Sequence, residues 1–351
     1  MLGEKELNVE IITIISDNYG NRLQNYALQE YLKKSDIYSV TDRMYPQKHG
    51  LIKKILGLCL SIYRRTDKQL FVYFNKYINW ENENQFICKD NPKIDFYIAG
   101  SDQIWNPNFK FNSDREFLRF TSKDKRIAYA ASIGIDKLPK EKIEKYKKFL
   151  GEFQAISVRE QSAADIIKEL CNIDVPIVID PTMLLTASDW MKVSQKSVVS
   201  IKQPYILKYF LGQRSDENEK NIEKYAKKNN YKIIDITKHK ECNIVGVGPV
   251  EFVYLFQNCE RAFVDSFHGT VFSILFNKKF LAFNRPTENG FGNMNSRFNT
   301  LSEIFKIKDR FICEYTKLES VDKEIDYNLV NKILENKREE AEKFIKNAIG
   351  Y

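Results

Sequence analysis

The sequence predicts an α/β protein made of two Rossmann-like domains that face each other across a cleft. Short β-branched or apolar runs alternate with helical patterns along most of the chain, as βαβ units and parallel sheets require. The polar, serine-rich segment 186–203 separates two such alternating stretches. The length, 351 residues, also suits two domains at roughly 150 residues each.

The elements follow in chain order. Val9–Ser16 (VEIITIIS) is a β-branched run that ends in the turn Asp17-Asn18-Tyr19-Gly20. A helix is expected from about Asn21 to Lys34, with Leu23, Ala27, Leu28, Tyr31 and Leu32 on one face. A helical region covers about Leu51–Tyr77. Strands are expected at Phe96–Gly100 and Arg126–Ile133, then a helix at Lys140–Phe153. A strand at Ile156–Arg159, a helix at Ser162–Leu170 and a short strand at Pro176–Asp180 complete the first stretch. The second begins with a strand at Tyr205–Leu211, a helix at about Glu217–Asn229 and a strand at Tyr231–Ile236. A helix at about Val250–Asn258 leads to strand Ala262–Asp265, the turn Ser266-Phe267-His268-Gly269, helix Thr270–Phe276 and strand Lys279–Phe283. A charged helix, about Tyr327–Ala348, closes the chain. We therefore divide it into a first domain at 1–190, a second at 200–325 and a C-terminal helix at 326–351.

Composition excludes several classes. With 24 Phe and 19 Tyr, the chain is too rich in aromatics to be disordered. No apolar run approaches the ~18 residues of a membrane span. The start, MLGEKELNVEIITII, has no basic n-region or small-residue cleavage site, so a cytoplasmic protein is expected. The six cysteines are scattered without a C-x-x-C pair, which disfavours a zinc ribbon and a disulfide framework. The net charge of +8 permits an anionic partner, but no nucleic-acid motif accompanies it, so none is expected to bind.

Chemistry concentrates where strands end. Asp265, Ser266 and His268 lie between a strand and a helix, and Gly269 admits close backbone approach. The free N–H groups of such a helix start attract an anion. Histidine there is either structural or a proton carrier. The other two histidines, His49 and His239, lie in lysine-rich segments expected to be solvated.

Asn21, Arg22, Gln24 and Asn25 crowd a second helix start, with donors and acceptors suited to sugar hydroxyls and a guanidinium suited to an anion. The loop Gly100–Pro107 carries Asp102, Gln103 and Trp105. Trp105 is either a sugar platform or a core residue. Arg159 ends a buried strand, so it needs Glu160 or Asp180 as partner, or else reaches the cleft for an anion. Arg285 and Arg297 pose the same choice. Gln47–Lys68 is basic and amphipathic, either a helix packed on the sheet or one lying at an anionic membrane surface.

The motifs SDNYGNRLQNYALQEYL, YIAGSDQIWNP, RIAYAASIG, ISVREQSAADIIKEL, VIDPTMLL and VDSFHGTVFSILF together resemble the polysaccharide pyruvyl transferase family, in the family's order, over about Ile11–Phe305. The resemblance implies a glycosyltransferase-B-like fold. It also implies transfer of pyruvate from phosphoenolpyruvate onto two hydroxyls of a cell-surface polysaccharide sugar, forming a ketal. Phosphoenolpyruvate is then a co-substrate, with no cofactor or metal expected. The acceptor is a sugar or a lipid-linked oligosaccharide met in the cytoplasm or at the inner face of the membrane. The resemblance places weight on His268 as general acid/base. Our own assignment gives the donor Ser266, Gly269, Thr270, Arg159 and Arg297. It gives the acceptor Asn21, Arg22, Gln24 and Asp102. Ser266 stands where many members carry an arginine two residues before the histidine. A nucleotide-sugar glycosyltransferase on the same fold is the alternative.

Overall fold

The computed structural model describes residues 7–42, 67–81, 89–109, 112–285, 296–312, 315 and 318–350. The expected basic amphipathic segment lies outside the described residues except at its last two positions, as do His49 and the first part of the expected helix at 51–77.

Two five-stranded, fully parallel sheets carry the fold. The first orders β2 (Tyr38–Thr41), β1 (Asn8–Ile12), β3 (Phe96–Ala99), β4 (Arg126–Ala131) and β5 (Ala155–Val158). The second orders β10 (Phe311–Ile312), β9 (Lys279–Phe283), β8 (Arg261–Val264), β6 (Tyr205–Tyr209) and β7 (Lys232–Asp235). Strands such as β4 and β6 are buried along their whole length, because helices cover both faces of each sheet. One apolar cluster joins the facing layers of both units, from Val9 and Leu28 to Leu207, Val264 and Phe272. Two others, around Tyr97, Trp105 and Ile167 and around Phe263 and Leu281, fill the far sides.

The helices are α1 (Tyr19–Lys34), α2 (Asp67–Phe74), α3 (Ile143–Leu150), α4 (Gln161–Cys171), α5 (Pro181–Leu184), α6 (Ala187–Ser194), α7 (Asp216–Lys228), α8 (Pro249–Asn258), α9 (Phe267–Leu275), α10 (Ser296–Ile304) and α11 (Tyr327–Ile349). Among the described residues, no helix is long and apolar enough to cross a membrane.

Several expectations are corrected. Pro176–Asp180 does not form a strand: it touches β5 through a single bridge, Val158 to Ile177, and then turns to cap α5. The edge strands β2 and β10 went unread, being short and weakly patterned. The supposed linker opens with a helix, α6, whose capping box of Thr186 and Asp189 is closed. Its Trp190 is fully buried, packed on Tyr26 and Phe272. The C-terminal helix bridges the two units. Tyr327 donates to the Lys278 carbonyl beside the second sheet, whereas Arg338 donates to the Met183 and Leu185 carbonyls and Phe344 packs on Tyr129.

Candidate active site

The two sheets aim their carboxyl ends at each other, so two helix starts meet. β1 feeds α1, whose first N–H groups are capped by Asn18. β8 feeds α9, capped by Ser266. Tyr19 is the joint between them: it stacks on Phe252 at 4.7 Å, meets Tyr209 edge-on and donates to the Val247 carbonyl. The next residue, Gly20, touches His268 so closely that a Cβ would lie 2.0 Å from Nδ1. Two positive helix-dipole ends therefore converge on one spot.

Around His268 runs a buried polar network from four loops. Asp180, after the Val158–Ile177 bridge, sets Oδ2 3.7 Å from His268 Nε2, within ion-pair reach but too long for a hydrogen bond. The same carboxylate takes Arg159 at 2.8 Å and the Ser101 hydroxyl at 2.8 Å. Arg159 also pairs with Asp102 at 3.0 Å and sits 3.7 Å from Glu160. Asp102 accepts in turn from the Asn21 amide, which accepts from Ser16. Burial opposes the charged forms of Asp180 and Asp102. It is outweighed for Asp180 by His268 and Arg159, and for Asp102 by Arg159, His268 and Arg297, so both carboxyls are held below their usual range.

Asp102 reaches this position through an unusual backbone. Its φ is +69°, and it bridges Ala131 just past a register shift in β4, where Ala130 also has a positive φ. Aspartate tolerates this conformation better than most residues. The bulge aims Ala131 and Ser132 at the loop, and Ser132 donates to the Asp102 carbonyl at 3.0 Å.

The expected residues divide into three groups. Asn21, Asp102, Arg159 and His268 join one network. Arg297, on α10, is 5% exposed, its Nε lacks any hydrogen-bond partner, and no carboxylate among the described residues pairs with it. Burial, then repulsion from Arg159, lowers its pKa to about 10. Its guanidinium lies 5.8 Å from the Phe267 ring, with Arg159 4.4 Å from the same ring. Burial of a cation without a close counter-ion is costly, and Glu160 and Asp102 attract Arg297 only from beyond ion-pair distance.

Arg159 and the other candidates make the following contacts within the fold. Arg159 is already paired with Asp102 and Asp180 and lies 3.7 Å from Glu160. Gly269 faces inward: a Cβ would meet Val264 at 3.0 Å, so the missing side chain lets α9 pack on β8. Ser266 offers its oxygen to the Gly269 N–H, and the buried Thr270 hydroxyl returns to the Ser266 carbonyl. Gln24 is fully buried on Thr13, and Arg22 lies over Trp80 and beside Asp17. Trp105 is a core residue, stacked on Phe117 with its indole N–H on the Glu116 carbonyl. His239 is buried rather than solvated, between the Ile236 carbonyl and Asp67. Arg285 holds Asp265, which caps the backbone N–H groups of Leu211 and Gly212.

Asp180 was named in the sequence only as a partner for Arg159; its approach to His268 needs both sheets in place. Its sequence signal was the Asp-Pro helix start in VIDPTMLL. Among the described residues, no cluster of three or more His, Cys, Asp and Glu side chains is arranged to hold a metal.

Two parallel α/β units with facing carboxyl ends define a glycosyltransferase-B-type protein. Solved structures share this fold. The UDP-GlcNAc 2-epimerase from Methanocaldococcus jannaschii aligns at TM-score 0.52 with 14% identity, covering 94% of this chain and 92% of that one. UGT89C1 of Arabidopsis thaliana, complexed with UDP-L-rhamnose, aligns at 0.53 with 9% identity, covering 99% of each. MnaA of S. aureus, in a co-structure with UDP, aligns at 0.51 with 11% identity, covering 98% and 97%. These likenesses carry the fold alone. A search of curated proteins gives no match. The chain belongs to the polysaccharide pyruvyl transferase family, whose model matches residues 18–286. It is thus a member of a transferase family whose acceptors are polysaccharides.

Proposed function

We propose that the protein transfers pyruvate from phosphoenolpyruvate to two hydroxyls of a sugar destined for a cell-surface polysaccharide, closing a cyclic ketal. The observation that carries this reading is Arg297, a buried guanidinium with no ion pair among the described residues, 5.8 Å from the ring of Phe267, the residue before His268. The converging starts of α1 and α9 add positive potential for a phosphate and a carboxylate. Because Arg159 is already paired with carboxylates, Arg297 carries most of the donor's recognition, with Ser266 where many family members carry an arginine.

The chemistry balances with one proton carrier. Protonated His268 gives its proton to the methylene carbon, and a sugar hydroxyl attacks the adjacent carbon. The carbon–oxygen bond to phosphate breaks, and phosphate leaves with the first hydroxyl's proton. The second hydroxyl closes the ring and returns its proton to His268. Asp102 and Asn21, at the more open edge of the network, orient the acceptor. A phosphoenolpyruvate donor places the reaction in the cytoplasm, and a lipid-linked acceptor would place it at the inner membrane face.

The test is ketal formation by His268→Ala, followed by mass spectrometry of the sugar product. Loss of a proton carrier costs about 10²–10⁴-fold in rate. Near-normal turnover would remove His268 from the mechanism. Protection against heat or proteolysis by a uridine or guanosine diphosphate sugar, and not by phosphoenolpyruvate, would transfer the assignment to a glycosyltransferase.

A further inference from the structure

His268 belongs to the second sheet, but the groups that hold its ring belong to the first. On one side stands Asp180, 3.7 Å from Nε2. On the other stands the Gly20 backbone, too close to Nδ1 for any side chain. The Asp180 carboxylate is held by partners other than the histidine. Oδ1 accepts from the Thr182 backbone N–H at 3.0 Å and its hydroxyl at 2.7 Å, and Oδ2 accepts from Ser101 and Arg159 at 2.8 Å each. Here the ring is 7% exposed and Nε2 keeps no hydrogen-bond partner. Nε2 itself is buried and faces the Asp180 carboxylate, which sets the orientation of the ring. The charged groups around it are Asp180 and Asp102, against Arg159 and Arg297.

We propose that Asp180 is a positioning residue for His268, with Gly20 as the backstop on the opposite edge, so that the proton carrier is correctly placed only when the two sheets close on each other. The proposal rests on His268 being that carrier. Asp180 touches no reacting atom and acts through the imidazole. The packing of Tyr19 in its aromatic socket and of Gly20 against the ring are tied together, since the two residues are adjacent at the start of α1.

Two variants test it, by two measurements. Asp180→Asn keeps the shape and loses the charge. Gly20→Ala leaves the carboxylate network untouched and pushes the ring away. In each, kcat should fall about 100-fold, as misplacement of a catalytic group predicts, while the dissociation constant for phosphoenolpyruvate changes less than about threefold. The second measurement needs no turnover. The chain has three histidines, so their carbethoxylation by diethylpyrocarbonate can be followed peptide by peptide. In ligand-free protein His268 should react about tenfold faster in both variants, with buried His239 unchanged as the internal reference.

Unchanged reactivity of His268 in both variants overturns the proposal. So does a normal kcat in Gly20→Ala combined with joint loss of kcat, donor affinity and thermal stability in Asp180→Asn, which would make Asp180 a support for Arg159 alone. Faster modification of His268 in the variants, with no wild-type turnover of phosphoenolpyruvate, would uphold the positioning and remove the donor assignment instead.

Discussion

A buried cation with no ion pair among the described residues is a cost that the folded chain bears at Arg297. Replacing it with methionine, of similar length and apolar, should raise the thermal midpoint of the ligand-free protein by about 2–4 °C for each kcal/mol recovered. The same change should weaken phosphoenolpyruvate binding by at least about tenfold, since a charge-assisted contact to an anion is worth roughly 1.5–3 kcal/mol or more. Calorimetry and a thermal melt on one sample measure both. A lower midpoint would show that the guanidinium is supported within the fold and is not waiting for a ligand. Glu10 on β1 offers a second test. Burial first, then Asp42 and Glu81, raise its carboxyl to about 8 against the opposing pull of Arg115. The folded state therefore holds this proton more tightly than the unfolded chain. Its stabilising effect is complete below about pH 4.5 and is lost as pH rises through about 8. Glu10→Gln should leave stability nearly unchanged near pH 4.5 and raise it by roughly 2–5 kcal/mol above pH 8. Urea denaturation at the two pH values reads the difference, and equal effects at both would refute it.

At the scale of elements, the start of α1 decides how the two sheets meet. Tyr19 sits at its first position, packed on Phe71, Phe252 and Tyr209. Tyr19→Ala removes three ring contacts and the hydrogen bond to Val247, so a loss of about 3–5 kcal/mol is expected. Because it also frees α1 from α8 and α9, kcat should fall more than stability alone explains. Tyr19→Phe should keep most of both, and a Phe variant as damaged as Ala would shift the weight to the hydroxyl. The pattern of the sequence located α1 and α9 but started both late: they begin at Tyr19 and Phe267 and not at Asn21 and Thr270, so His268 lies in the first turn of α9 and not in a loop before it. Leu23, Ala27, Leu28 and Leu32 fill the core as their spacing implies, because that face is set by helical periodicity alone. Edge strands β2 and β10 and helix α10 were not legible. The two strands are held by one neighbouring strand each, and α10 has only a weak apolar face, so tertiary context defines them. Pro176–Asp180 shows the converse. Its apolar run is strand-like, but β5 is already an edge there, and the chain leaves the sheet to deliver Asp180.

At the scale of the whole molecule, the charges in the site were only partly legible. The excess of basic residues suggested cations free for an anion. In the fold, Arg159 is consumed by Asp102, Asp180 and Glu160, and Arg285 holds Asp265. Arg297 remains. Long-range pairing of this kind depends on distances between loops far apart in the chain, which composition cannot report. The C-terminal helix illustrates the same limit. Its charged face was readable, but its path from the second unit back to the first was not, because that path follows from which grooves the sheets leave open. Sequence alone determined the α/β class, the alternation of elements, the family motifs and the histidine at the head of α9, since these rest on local periodicity and on short runs of neighbouring residues. The tertiary structure alone decided that Asp180 and Gly20 confront His268, that Trp105 and His239 are interior groups, and that Gly269 serves packing. The physical reason is the same in each case: a side chain's role is set by what lies within a few ångströms of it, and those neighbours come from loops that only the closing of two sheets brings together.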